Sequence, residues 1–317
     1  MTWRPADMEL RDDSGLSVAV ASAGEALALS RDRRALPPGV NVLRVPDPPA
    51  GSWVELARAG FVRKPSWITW VSPVCDTDEE WLARLPKRSR YDVRRARQAA
   101  ARELRQVVRQ PLEPTGLEEF LLLYGSMVAR MPHGVGFAAS LREAILAEER
   151  HYAVYAYGED GMAGGCLCLE SPQTDTVKLR FSAVDPRWRD RSLARALYAE
   201  AVAVARRKGY RRVTLGNDPN LYGHIPQPGL LVFKARLGFT PVAAEPFGMN
   251  PWRDEADLLL SLDGLNDLVL MLGYLGDVSA GDGFPGYRLE ARSRRPVDPG
   301  RCDFPFVLGA RHRLLPD

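Results

Sequence analysis

Histidine and cysteine are scarce in this chain, with four of each among 317 residues. His133, His151, His224 and His312 show no metal-ligand spacing, so no metal site is expected. Cys166 and Cys168 sit two apart in a strand-like run, while Cys75 and Cys302 lie far off. That pattern argues against a disulfide framework and reads as reduced, structural thiols. A run of about 18 apolar residues is missing, which argues against a membrane-spanning helix. A basic-then-apolar leader pattern is missing too, so a cytoplasmic protein is expected. Net charge is also small, formally +3, too little by itself to imply a polyanionic partner.

The charge is unevenly placed, however. From Lys87 to Arg109 nine basic residues face only Asp92 and Glu103. This segment is either a solvated helix face or a grip for phosphates.

The length suits two domains, with a Pro/Gly boundary at Pro111–Gly116. In the first half, Leu16–Ala21, Val40–Val45, Trp67–Val71 and Arg105–Gln110 read as strands, Glu25–Arg34 and Ser52–Phe61 as helices. Asp78–Glu103 reads as helical with a break near Pro86. In the second half, Leu117–Arg130 is an amphipathic helix, and Ser140–Arg150 a helix begun by a Ser140/Glu143 capping box. Tyr152–Tyr157 and Met162–Glu170 form a hairpin around Glu159-Asp160-Gly161. Then come a strand (Val177–Val184), an arginine-rich turn, a helix (Leu193–Lys208) with Asp190 placed to cap it, and a strand (Arg212–Leu215). That strand ends in the turn Gly216–Asn220, and a short helix follows, closed by Gly238-Phe239. Thr240–Phe247, Asp257–Leu262 and Tyr287–Ala291 are further strands. This order predicts an α/β fold with partly antiparallel, partly parallel sheets flanked by helices.

A short internal repeat is present. Val54–Val62 lies over Val232–Thr240 with Val, Ala, Arg, Gly and Phe in common. Both copies are a helix turn, a glycine suited to positive φ, and a Phe opening the next strand.

The turn after Val184 carries Arg189, Ser192 and Ala194 in an Arg-x-x-Ser-x-Ala spacing at a strand-to-helix junction. The first turn of a helix has free N–H groups and the positive end of its dipole, so this is an anion-ready position. Arg187, Arg191 and Arg195 add to it. The opposed view is a surface helix with solvated arginines. Lys234, beside Phe233, is either a surface lysine or an oxyanion stabiliser. Asp218, Tyr222, His224 and His133 are capable of proton transfer, though turn chemistry alone accounts for Asn217–Asn220.

Together these motifs, over roughly residues 50–262, resemble the GNAT superfamily of N-acyltransferases, whose donor loop reads Gln/Arg-x-x-Gly-x-Gly/Ala. Arg189 and Ala194 match it and Ser192 departs from it. Phe233-Lys234, the internal repeat and the basic run Arg88–Arg97 are similar to the Fem-like branch of tandem GNAT-fold transferases. The resemblance implies two tandem GNAT-like domains, at 1–113 (degenerate) and 114–262 (catalytic), with an extension at 263–317. It implies amide formation, with an aminoacyl-tRNA or acyl-CoA donor and no tightly bound cofactor. Val184, Arg189, Arg191, Ser192, Leu193, Ala194 and Arg195 would hold the donor, and Lys234 and Phe233 would serve catalysis. His224, Tyr222 and Asp218 would move protons, while His133, Arg180 and Asn217 would face the acceptor, a small-molecule or peptide amine. tRNA would engage Lys87–Arg109. The rival expectation is a degenerate fold that binds RNA or protein without catalysis.

Overall fold

The computed structural model describes residues 8–244, 254–275 and 286–315. The chain folds into two compact units. Unit one comprises 1–69, 217–233 and 241–317; unit two comprises 70–216 and 234–240. The chain therefore changes unit between 69 and 70, 216 and 217, 233 and 234, and 240 and 241. The strand before Pro111 is laddered to the hairpin after it, Arg105 opposite Tyr157 and Arg109 opposite Ala153.

Unit one begins with β1 (Glu9–Asp13), β2 (Leu16–Val20), α1 (Ala23–Arg31), β3 (Val42–Pro46), α2 (Trp53–Arg58) and β4 (Val62–Pro65). Ser22 and Glu25 close a capping box at the start of α1. β12 (Asp254–Leu259) enters between β3 and β4, giving a five-stranded sheet of order β1-β2-β3-β12-β4. One face, with Leu43, Val45, Ala256 and Leu258, packs on α1 and α2 through Leu27, Leu29 and Leu56. The other face carries Val42, Val62 and Leu259, packed with Val269 and Met271 of β13 (Val269–Tyr274). β13, β14 (Tyr287–Ser293) and β15 (Val307–Leu314) form a three-stranded sheet.

The second face of the five-stranded sheet also holds four charges. Register sets Arg44 opposite Asp257 and Lys64 opposite Glu255, and Glu255 and Asp257 are two apart, so all four project to one side. Lys64 is fully buried, and Glu255 and Asp257 nearly so. Lys64 pairs with Glu255 and, at 3.0 Å, with Asp257. Arg44 forks onto Asp257 with two bonds of 2.8 Å. Burial alone would raise the Asp257 carboxyl, but the Arg44 and Lys64 cations hold it below the usual carboxylate range.

β5 (Trp67–Pro73), β10 (Arg212–Pro219) and β11 (Thr240–Ala243) join unit two's β6 (Arg105–Arg109), β7 (His151–Gly158), β8 (Gly161–Ser171) and β9 (Thr176–Val184) in a seven-stranded sheet. Its order is β11-β5-β10-β9-β8-β7-β6. The helices of unit two are α3 (Asp78–Ala83), α4 (Lys87–Glu103), α5 (Pro114–Val128), α6 (Phe137–Ser140), α7 (Arg142–Ala147) and α8 (Leu193–Arg207). α9 (Pro228–Arg236) contributes its last residues. α5 covers one sheet face, with Leu117 and Phe120 against Tyr155, Leu167 and Ala183. α8 covers β7 to β9 and receives α4 on its outer side. Two glycines of β8 make these approaches possible. A Cβ on Gly164 would stand 3.1 Å from Leu193 and Leu197 of α8, and one on Gly165 would stand 2.7 Å from Phe120.

Three local expectations are corrected. Ser140 ends α6, its hydroxyl donating to Phe137 O at 2.9 Å, and α7 starts without a side-chain cap, so there is no Ser140/Glu143 capping box. Asp190 does not cap α8; the N-cap is Ser192. Gly216–Pro219 is not a turn but the continuation of β10. Strand Thr240–Phe247 is observed to Ala243, and 245–247 lie outside the described residues.

The internal repeat has identical backbone chemistry in its two copies. Gly60 and Gly238 take φ of +94° and +78°. Phe61 N–H donates to Leu56 O at 3.0 Å and Phe239 N–H to Lys234 O at 3.3 Å; Gly60 donates to Ala57 O and Gly238 to Ala235 O. Each is a Schellman closure followed by a buried Phe. Leu56, 1% exposed, occupies the position of Lys234.

Candidate active site

The parallel strands β9 and β10 share only three pairs: Arg212–Thr176, Val213–Val177 and Thr214–Lys178. Beyond Lys178, β9 runs on to Val184 without β10 beside it. Strands that part leave backbone N–H and C=O groups facing a gap, which an extended ligand can satisfy. Lys234 stands where the parting begins. The residue is 7% exposed, and its ammonium donates to Leu215 O at 3.0 Å, one residue beyond the last paired residue of β10.

At the far end of β9 the chain turns through Asp185–Arg189 into α8. Ser192 has φ +58° and ψ +34°, left-handed backbone that an L-residue adopts at a cost and glycine does not. Its side chain makes no cap bond, so the Leu193 and Ala194 amides of the first turn remain directed out of the helix. The conformation gives the physical reason a glycine suits this position.

The arginines of the turn divide in two. Arg187 is held by Asp185, at 3.0 and 3.1 Å, and by Asp160 at 2.6 Å. Those bonds hold the Asp185 carboxyl below its usual range. Arg191 pairs with Glu103 of α4 and lies 4.9 Å over the Trp188 ring. Arg195 stays beside Ser192, its Nη1 3.2 Å from the hydroxyl. Arg189 is exposed, with no carboxylate in ion-pair reach among the described residues. Thus the turn is less electropositive than its composition suggests. A cavity of about 190 Å³ beside it is lined by Arg95, Arg191 and Ser192 but also by Asp92, Glu103 and Asp190. A larger one, about 430 Å³, lies among Arg102, Glu103, Arg187, Trp188 and the β7–β8 turn, within the size range of small-ligand sites. Sequence does not tie these α4 carboxylates to the turn, because nothing local relates Glu103 to Arg191.

α4 presents a second, outward face. Lys87, Arg88, Tyr91, Arg94, Arg95 and Arg102 are exposed, Tyr91 at 64%. Spacings of three, four and seven put them on one side, while Ser89, Val93, Ala96 and Ala100 are buried on the other. Among the described residues no carboxylate lies within ion-pair distance of these five cations.

The remaining expected residues fall in both units. Arg180 is exposed on β9, its Nη1 3.5 Å from His151 Nε2. Burial, then the Arg180 cation, holds His151 below its usual pKa. His133 is half-buried in the loop after α5. Asn217, Asp218, Tyr222, His224 and Phe233 belong to unit one. There Tyr222 donates to Asp218 at 3.1 Å, both side chains buried, and Asn217 bonds Thr69. His224 Nε2–H donates to Ser14 O at 3.2 Å. Asn220, for which turn chemistry seemed a sufficient account, bonds Pro65 O, Leu272 O and Leu272 N, so it fixes this loop structurally.

Residues 124–223 match the Acetyltransferase (GNAT) family model. The chain thus carries a GNAT acetyltransferase domain and is an acyltransferase, a class acting on small-molecule or peptide amines. The match spans β7 to β10 and α8, and stops short of Lys234. No curated protein sequence matches the chain. Among solved structures it is similar to FemX (14% identity, TM-score 0.46, covering 80% of this chain and 84% of that one). It is also similar to L-PGS from Bacillus licheniformis (12%, 0.43, 79% and 79%). A third is a tandem GNAT protein from the clavulanic acid biosynthesis pathway (13%, 0.39, 80% and 78%). These are likenesses of chain course; the family match carries the class. Among the described residues, no helix is long and apolar enough to cross a membrane.

Proposed function

We propose that this acyltransferase is a Fem-like tandem enzyme that takes an aminoacyl group from charged tRNA and joins it to an amine of a small molecule or peptide. The observation that supports this donor is the outward face of α4: five exposed cations and an exposed Tyr91, spread over about 22 Å at the helical rise. Cations in a row, not ion-paired among the described residues, fit a phosphate backbone, and an exposed aromatic fits an unstacked base. In the reaction the amine nitrogen attacks the ester carbonyl, the C–N bond forms and the ester C–O bond breaks. The amine proton leaves to a base or water, and the departing ribose hydroxyl takes a proton. Lys234 stabilises the oxyanion, Phe233 walls the pocket, and Asp218, Tyr222 and His224 move protons. The donor's acylated end lies along Val184 and the 189–195 turn, with His133, Arg180 and Asn217 toward the acceptor. The tandem copies are 1–113 and 114–262, extended by 263–317. The second is active, since Leu56 stands in the first where Lys234 stands in the second.

A second donor, acyl-CoA, is favoured by the parting of β9 from β10 and by the first-turn amides of α8. Against it stand Glu103, Asp92 and Asp190 around the turn.

The deciding experiment incubates the full chain with charged tRNAs or with acyl-CoAs, plus an amine library, and reads products by mass spectrometry. Amide formed only with charged tRNA, together with tRNA affinity that falls as salt rises, supports the reading. Amide formed only with acyl-CoA replaces it with the second. Consumption of neither donor favours a binding module.

A further inference from the structure

We propose that unit one contains a binding site for a compact α-amino acid in its zwitterionic form. A cavity of about 160 Å³ opens beside the buried charge quartet. It is lined by Arg44, Glu255, Asp13 and His224, with Trp67 and Leu221 among its apolar walls. Its volume corresponds to about five waters and is well below that of drug-sized sites, so it suits a small metabolite and not a nucleotide.

The quartet is not what a core of this kind needs. It occupies sheet positions in line with Val42, Val62 and Leu259, where an apolar residue would pack without desolvating a charge. Two cations and two carboxylates cancel, so the cluster attracts neither a simple anion nor a simple cation. What it offers is oriented. Arg44 uses Nε and Nη2 on Asp257, and Nε also lies 3.2 Å from Glu255. Among the described residues its Nη1 meets no protein acceptor. Asp257 and Glu255 fix the plane of the guanidinium and so aim that remaining donor. Asp13, exposed on the same cavity, acts on Arg44 electrostatically, and among the described residues no cation lies within ion-pair distance of it. A carboxylate on Arg44 Nη1 and an ammonium on Asp13 satisfy both groups and keep the site neutral. A small or mid-sized aliphatic side chain then packs on Trp67 and Leu221.

Calorimetric titration of the full chain tests this. The probes are glycine, alanine, valine and leucine, with isoamylamine and 4-methylpentanoate as leucine analogues lacking the carboxylate or the amine. Saturable binding of at least one amino acid at one site is expected, with both analogues at least about tenfold weaker, as loss of a charge-assisted bond implies. Asp13→Asn changes an exposed side chain and leaves folding intact; it weakens binding by about tenfold or more. Arg44→Lys does the same if it folds. No binding of any amino acid, an analogue as tight as leucine, or unchanged affinity in Asp13→Asn each overturns the proposal.

Discussion

Replacing Lys64 by methionine isolates the worth of the buried quartet. The stem is nearly conserved in length and the ammonium is lost. Lys64 is fully buried and is the cation between Glu255 and Asp257, which are 2% and 1% exposed. Without it two buried carboxylates share one guanidinium, Arg44. Removing one partner of a buried ionic cluster costs about 3–5 kcal/mol. At about 2–4 °C per kcal/mol for a unit of this size, the melting temperature falls by about 6–20 °C. The loss depends on pH in a defined direction. Burial, opposed in the wild type by the Arg44 and Lys64 cations, is opposed in the variant by Arg44 alone, so the Asp257 carboxyl moves upward. The resulting loss is full above the variant's folded value and shrinks as pH falls through it toward the wild type's. Scanning calorimetry of wild type and variant at pH 7.5 and 4.5 should therefore show a smaller gap at the lower pH. Lys64→Met with Glu255→Gln restores charge balance and should recover more than half the loss. A drop under about 2 °C at pH 7.5, or a gap that does not narrow on acidification, refutes the reasoning.

Other outcomes follow from single features. Lys234→Ala should lower kcat by about 10²–10³ if its ammonium meets the oxyanion, with KM little changed; full turnover by a folded variant removes it from the chemistry. Arg94→Glu with Arg95→Glu should weaken tRNA binding and flatten the slope of log affinity against log salt by roughly 1.5–2, while thermal stability is kept. An unchanged slope would mean that this face meets no phosphates. Ser192→Gly relieves left-handed strain and should stabilise unit two by about 0.5–1 kcal/mol in denaturant unfolding; a destabilised variant would show that the hydroxyl is needed there. Gly165→Ala forces a methyl to within 2.7 Å of Phe120 and 3.0 Å of Tyr155, and should cost about 1–3 kcal/mol by thermal melt.

Much of this architecture follows from local pattern. Alternation in Val177–Val184 and the continuous apolar run Tyr152–Tyr157 mark two strands of the large sheet, and the spaced apolar stripe of Leu193, Leu197, Ala201 and Ala205 marks α8. The helix–Gly–Phe repeat is legible because a Schellman closure needs only a glycine at one position and an apolar residue after it. Helix starts are less legible. Ser140 and Asp190 have the right side chains for capping, but a cap is decided by backbone angles that neighbours impose.

Tertiary structure alone decided where the charges go. Lys64, Arg44, Glu255 and Asp257 look like exterior residues in any local window. They become a buried quartet because β12, some 190 residues after β4, inserts between β3 and β4. In the same way Glu103 meets Arg191 across 88 residues and reduces the positive charge that composition suggests for the 189–195 turn. Periodicity reports which face of one element is apolar. It holds no information on which distant element will cover that face, and the electrostatics of both candidate sites depend on that second fact.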